Sequence, residues 1–409
     1  MAQGATQGEG GAITRLRQVA PILEVALAIL YALAHLLFFS TLANAILPGL
    51  DRLALLAMAF AIACAITLAA WRGRWLAAGL AIAALGLVAV QLVVFSHLAQ
   101  VPVNWNAGLS YTVLAGFIVF FNARHHLSLV LRILVALALA YCVAYALFSD
   151  RLVELGGLGT QVLAGDNRGP RLVLANGYAA LAVFACLVRL RSHPVDWRWL
   201  ALLALVLLAL VEAQSRTFSV LAAMVGAFYL LGLLSGTVRW ALAFVFTLLL
   251  AVVLSGAALP GWNPFGFFVF DPSGAVRAGA YALFQPYLAD NPVTGIGLPP
   301  DRAAFEAFVG RPYVYWEDLG AFGIWAAFGA WGLIAFLLLA YRSIFGIPVR
   351  GPDAMAVSLA ALTAALFGIL SPTLWSGSGS LLANLVVASC LAGRQAFGRP
   401  LDAGDELAV

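Results

Sequence analysis

Chemistry in this charge-poor chain can be built on two arginines, Arg216 and Arg277, and on the acid pair Glu317–Asp318. Guanidinium is always charged, and its planar fork of donors matches phosphate oxygens, so an arginine held beside an apolar region reads as an anion-binding group. Arg216 lies in LVEAQSRTFSVLAAMVGAF, with almost no loop between two apolar runs. A charge costs about 2.5–3.5 kcal/mol at a membrane centre and less towards the boundary, so a partner is expected. Glu212, one turn earlier, is one candidate; an anionic ligand is the other.

Arg277 heads VRAGAYALFQPYLADNPVTGIG, a stretch that predicts an amphipathic helix. Asp271-Pro272 supplies its cap and first-turn proline, and Asn291-Pro292 ends it. Arg277, Tyr281, Phe284 and Leu288 share one face. The helix either lies on the outer membrane boundary, with Arg277 snorkelling to lipid headgroups, or packs across the mouth of a helix bundle. Glu317 and Asp318 follow in YVYWEDLGAFG. A carboxylate accepts a proton near neutrality if desolvation lifts its pKa; alternatively, both acids simply mark the membrane boundary.

The elements that carry these residues follow from composition. Of 409 residues, 64% are hydrophobic and 10% charged. A soluble domain carries roughly a quarter charged residues, so this chain is expected to be all-α and polytopic in a membrane. About twelve spans fit the apolar runs: 20–46, 53–71, 75–97, 107–122, 128–148, 171–189, 198–214, 217–236, 239–259, 319–341, 354–371 and 377–393. The charge is +4, from 22 arginines and no lysine against 18 acids, and reads as topology rather than nucleic-acid binding. Arg15, Arg17, Arg72, Arg74, Arg124, Arg132, Arg189, Arg191, Arg198, Arg239, Arg342, Arg350, Arg394 and Arg399 fall on one side, which places both termini in the cytoplasm. The domain reading is therefore a cytoplasmic tail at 1–19, nine spans over 20–259 with a smaller outer loop at 149–170, a large loop with short helices at 260–318, three spans over 319–393, and a cytoplasmic tail at 394–409. The long loop is rich in Trp, Phe, Tyr and Pro, a composition that argues for order and function. Cys64, Cys142, Cys186 and Cys390 sit inside apolar runs without metal-ligand spacing and read as packing residues.

Three segments together resemble the O-antigen ligase and polymerase superfamily, membrane enzymes that ligate or polymerise polyprenyl-diphosphate-linked glycans. QSRTFSVLAAMVGAF is similar to the family's Ser-Arg segment opening a span, at Arg216. The Arg277 stretch resembles its arginine-led periplasmic helix ending in Pro-x-x-Gly-x-Gly, here Pro292, Gly295 and Gly297. LANGYAALAVFACL resembles the Asn-containing start of an earlier span and places Asn176 near the outer surface. The match covers roughly residues 170–340. Where the family commonly has a His-Asn pair before a span containing Gly-x-x-Gly, this chain keeps the glycines (Gly329, Gly332) but has Glu317 and Asp318 in the histidine's place. Its own histidines, His35, His97, His125, His126 and His193, lie elsewhere. That departure favours a polymerase over a ligase.

The resemblance implies a periplasmic-face glycosyltransferase of the bacterial inner membrane. Its donor is a saccharide on a polyprenyl diphosphate, and its acceptor a glycan or lipid A-core; a chain-length regulator is a further partner. Arg216 and Arg277 are expected to hold the leaving diphosphate, with Arg168, Arg171 and Arg311 as outer candidates, and Glu317 or Asp318 to act as base. Tyr281, Tyr313, Tyr315 and Trp316 are candidates for stacking on sugars or for membrane-boundary anchors. An arginine clamp would stand in for a divalent ion, so neither metal nor cofactor is expected. The rival reading is a twelve-span transporter or lipid-sugar flippase. The spans' near-absence of charge, apart from Glu24, and a long connection after span nine count against it. A purely structural membrane protein would not need arginines at the outer mouth.

Overall fold

Lipid cannot satisfy backbone amides, so an apolar chain in a bilayer must satisfy them internally. In the computed structural model about 81% of the chain is helical, and no strand occurs among the described residues. These are residues 6–154, 172–256, 259, 261–268, 272–311, 314–347 and 351–393. In chain order the α-helices are α1 (Thr6–Phe39), α2 (Thr41–Ile46), α3 (Leu50–Trp71), α4 (Trp75–Ala99), α5 (Phe117–Asn122), α6 (Leu127–Glu154), α7 (Asn176–Ser192) and α8 (Trp197–Glu212). They continue with α9 (Arg216–Leu230), α10 (Gly236–Ser255), α11 (Pro272–Asp290), α12 (Arg302–Val309), α13 (Gly320–Phe345), α14 (Pro352–Phe367) and α15 (Ser380–Ala392).

Six helical stretches among the described residues are long and apolar enough to cross a membrane: Pro21–Phe39, Leu50–Trp71, Trp75–Ala99, Trp105–Arg151, Gly236–Ser255 and Trp316–Phe345. α7, α8, α9, α14 and α15 are shorter, from 17 residues in α7 down to 13 in α15. Thirteen residues rise only about 20 Å, against a hydrocarbon core of about 30 Å. The chain is thus a membrane-embedded helical protein whose helices are unequal in length. Two stretches differ from the sequence expectation. Residues assigned to an N-terminal tail already belong to α1, which begins at Thr6. The fourth expected span, 107–122, is a 3-10 helix (Trp105–Ala115) followed by the short α5.

Alanine-rich faces let helices approach closely. α7 and α14 pack together and bury nearly every residue they hold, from Gly177 to Leu190 and from Ala354 to Phe367. The loop-bearing face is identified by α11 and α12, and by Phe95 of α4, whose ring meets Phe305 and Phe308 of α12 at 6.4 and 5.3 Å. On the opposite face Arg189 of α7 pairs with Asp353 of α14 at 2.6 Å, and Arg239 of α10 donates to the Ile344 carbonyl at 2.6 Å.

α13 is broken. Gly329 has φ 66° and ψ −167°, outside helical space, and the non-helical segment 293–298 packs into the break. Ala330 N–H donates to Val293 O (3.0 Å), Ile296 N–H to Ala326 O (2.7 Å) and Leu298 N–H to Gln91 O of α4 (2.9 Å). One carbonyl and one amide freed by the break, Ala326 O and Ala330 N–H, are therefore satisfied by the inserted backbone.

A recessed candidate active site

The turn that carries the acid pair is a 3-10 helix, Trp316–Leu319, directly before α13. Trp316 anchors it: its side chain is buried and meets Phe328 edge-on at 5.7 Å, with Tyr111 at 6.4 Å. Glu317 and Asp318 are half-buried. Glu317 lies within electrostatic reach of the Tyr111 phenol, and Asp318 within reach of Arg277. Gly320, two residues on, rests on the Gly368 and Ile369 carbonyls at the end of α14.

Arg277 stands in the second turn of α11, half-buried, and α11 packs on the acid turn and on α13. The face predicted for this helix is the one it buries: Tyr281, Phe284 and Leu288 are each 0% exposed. α11 thus packs this face against protein rather than laying it on a lipid boundary. This also corrects the sugar-stacking expectation for Tyr281. Its ring is stacked on Phe322 at 4.0 Å and its hydroxyl donates to Val253 O at 2.6 Å, so both face and polar tip are occupied by protein. Trp316 is enclosed in the same way. Asn291-Pro292 ends α11 as expected, whereas Asp271, the expected cap, lies outside the described residues.

Arg216 opens α9 and is exposed. Glu212 is not its partner: that carboxylate accepts from Ser149 Oγ at 2.7 Å, and none of the ion pairs among the described residues contains Arg216. The positive φ of Gln214 (51°) turns the chain between α8 and α9, separating the two side chains. Ser215 Oγ donates to Asn176 Oδ1 at 3.3 Å, so α9 and α7 begin side by side. Gly177 N–H donates to Ser378 Oγ at 3.0 Å.

Ser378 belongs to SPTLWSGSG, which reads in sequence as a simple outer connection. In the structure it is non-helical and largely buried. Its position is set by His35, four residues or about 6 Å before the end of α1 at Phe39. His35 Nδ1 is 3.1 Å from Tyr178 Oη and Nε2 is 2.9 Å from Ser380 Oγ. Because the Tyr178 hydroxyl donates to Ala32 O (3.0 Å), His35 Nδ1–H donates to it and Nε2 accepts from Ser380. The N-termini of α7 and α15 are thus recessed by about one turn from the end of α1 at Phe39. Asn176 is half-buried at the edge of this recess. Irregular backbone at such depth occurs where it is buried in protein or lines a cavity.

The acid turn and the recess are joined by packing. Phe218, two residues after Arg216, meets Phe367 at 5.5 Å, next to Gly368 beneath Gly320. Trp375 of the recessed segment meets Phe328 at 5.4 Å, and Phe328 touches Trp316. Trp375 buries an indole N–H without a hydrogen-bond partner among the described residues. It lines an apolar cavity of about 300 Å³ with Leu80, Leu87, Leu339 and Asn384. On the loop-bearing face a groove of about 500 Å³ is bordered by Asn104, exposed Trp105, Asn106 and Asp301. The sequence reading missed Tyr111, Trp375, Ser378 and this groove; only the Pro/Gly/Ser-rich interruption between two short helices signalled the recess.

Of the remaining expected residues, Tyr315 is half-buried just before the acid turn and Arg311 is exposed after α12. Arg168, Arg171 and Tyr313 lie outside the described residues. Among those described, no group of three or more His, Cys, Asp or Glu is placed to hold a metal ion. Comparison with protein-family models, with curated proteins and with solved structures finds no match.

Proposed function

We propose that the protein is a glycosyltransferase acting at the periplasmic face of a bacterial inner membrane. It transfers or polymerises a glycan from a polyprenyl-diphosphate donor onto an acceptor hydroxyl, polymerisation being favoured by the acid pair in place of histidine. In this reading about twelve passes bring both termini to the cytoplasm. The observation that carries it is the packing of α11 on the Glu317–Asp318 turn, which brings Arg277 within electrostatic reach of Asp318. The apolar cavity beside Trp375 suits part of a lipid chain, and the groove at Trp105 suits a saccharide.

The acceptor oxygen attacks the anomeric carbon. Its C–O bond to the diphosphate breaks as the new glycosidic bond forms, with inversion at that carbon. The acceptor's proton passes to the Glu317 carboxylate, and the bonding pair leaves with the diphosphate. Charge grows on that leaving group, so fixed guanidiniums beside it stabilise the transition state more than the ground state. Arg277 is assigned this role, with Arg216 and Asn176 holding the diphosphate on the recessed side.

Transport is the second reading. It draws on the broken α13 and on the buried non-helical segment before α15, since discontinuous helices are common in secondary transporters. Purified protein in liposomes separates the two. The enzyme converts lipid-linked donor and acceptor to glycan and free polyprenyl diphosphate without a gradient, whereas a transporter moves solute and makes no bond.

A further inference from the structure

At the end of the bundle opposite the acid turn, the α3–α4 hairpin reads Trp71-Arg72-Gly73-Arg74-Trp75. Arg72 and Arg74 converge on Glu24 of α1, a carboxylate only 2% exposed. Arg74 Nη1 also donates to Asn122 Oδ1 at 2.9 Å, and Asn122 Nδ2 donates to Ala65 O at 2.8 Å, which fixes the guanidinium in place. Arg124 donates to Phe121 O at 3.1 Å, with its guanidinium 4.7 Å from the Phe121 ring; Arg74 approaches the same ring at 5.8 Å. His126 lies within electrostatic reach of the same carboxylate.

Two guanidiniums therefore pair with one carboxylate, and a third, Arg124, lies within its electrostatic reach, so that three arginines face a single acid. Burial, and then the neighbouring Arg124 charge, hold the Arg74 pKa below the usual arginine range, as crowded like charges do. The cluster is partly open: the side chains of Arg72 and Arg74 are 22% and 15% exposed. Around it Trp71, Trp75 and Leu76 are 58%, 69% and 73% exposed, the aromatic and aliphatic rim of a membrane boundary. The position lies at the far end of α4 from the loop-bearing face, about 37 Å along its 25 residues.

We propose that this cluster binds the phosphate of an anionic phospholipid. The phosphodiester answers the excess charge of Arg72, Arg74 and Arg124, and the acyl chains run beside Trp71, Trp75 and Leu76. An anionic headgroup suits the cluster where a zwitterionic one does not, because a choline ammonium would return positive charge to a site already in excess.

The test uses delipidated full-length protein titrated with phosphatidylglycerol or phosphatidylcholine, with retained lipid counted by native mass spectrometry. Arg74 also holds Asn122, so the principal variant is Arg124→Gln. The control is Arg132→Gln, an exposed arginine early in α6 that lies outside the cluster. Wild type is expected to retain phosphatidylglycerol over phosphatidylcholine. Arg124→Gln should lower that retention about fivefold, and Arg132→Gln should leave it unchanged. Equal retention of both lipids, an equal loss in both variants, or no loss in Arg124→Gln would overturn the proposal. Displacement of phosphatidylglycerol by inorganic phosphate at matched concentration would overturn it in favour of a free-phosphate site.

Discussion

Gly295 and Gly329 face each other across the break in α13, each with positive φ, 69° and 66°. They belong to the two glycine motifs singled out in the sequence, and the structure shows them to be one device. Gly329 opens the helix, and Gly295 lets the chain after α11 enter the gap and hydrogen-bond there. That insertion fixes α11, and with it Arg277, relative to the acid turn.

Gly295→Ala should therefore be severe. Its Cβ would meet the Ala326 carbonyl and come within 2.9 Å of Gly329 N, at a φ disfavoured for alanine. A loss of about 1–3 kcal/mol is expected, read as a lowered thermal midpoint in detergent. Gly279→Ala, in α11 with nothing within 4 Å, should instead be neutral or stabilise by about 0.5–1 kcal/mol. Equal midpoints for the two variants would contradict the role given to the break.

Tyr281 separates packing from chemistry. Tyr281→Phe removes the hydroxyl that donates to Val253 O but keeps the stack on Phe322. It should cost about 1 kcal/mol of stability and leave glycan transfer intact. Abolished transfer in a protein of unchanged stability would return Tyr281 to the substrate.

How much of this was legible beforehand differs by element. The apolar runs announced a helical membrane protein, and the Arg277-Tyr281-Phe284-Leu288 face was readable because 3.6-residue periodicity is local. The position of SPTLWSGSG was not readable. It is set by contacts of Gly177 and His35, which come from distant parts of the chain. Tyr111 was hidden for the same reason: it reaches the acid turn from a segment whose pattern fits a plain span, yet which folds as a 3-10 helix. Glu212 was offered to Arg216 by sequence proximity, but it accepts from Ser149, and the turn at Gln214 lies between it and Arg216.

For the acid turn, Glu317→Gln keeps shape and removes the proton acceptor. Turnover should fall about 10²–10⁴-fold while donor affinity is kept. A variant that turns over normally would move the base to another residue.

Among the arginines of the large loop, position decides the outcome. Arg311→Gln, exposed after α12, should leave transfer near wild type. Asp318→Asn withdraws the carboxylate within electrostatic reach of Arg277 and should weaken donor binding more than it slows a saturated enzyme. Loss of transfer with Arg311→Gln and full activity with Asp318→Asn would reverse this assignment.

The central claim is that guanidiniums at the bundle mouth hold a departing diphosphate, and release of polyprenyl diphosphate by reconstituted protein tests it most directly. Arg277→Ala and the pair Arg216→Ala/Arg277→Ala, inserted and as heat-stable as wild type, should release none from a polyprenyl-diphosphate-linked saccharide supplied with acceptor. Release at the wild-type rate by the doubly substituted protein would contradict the account.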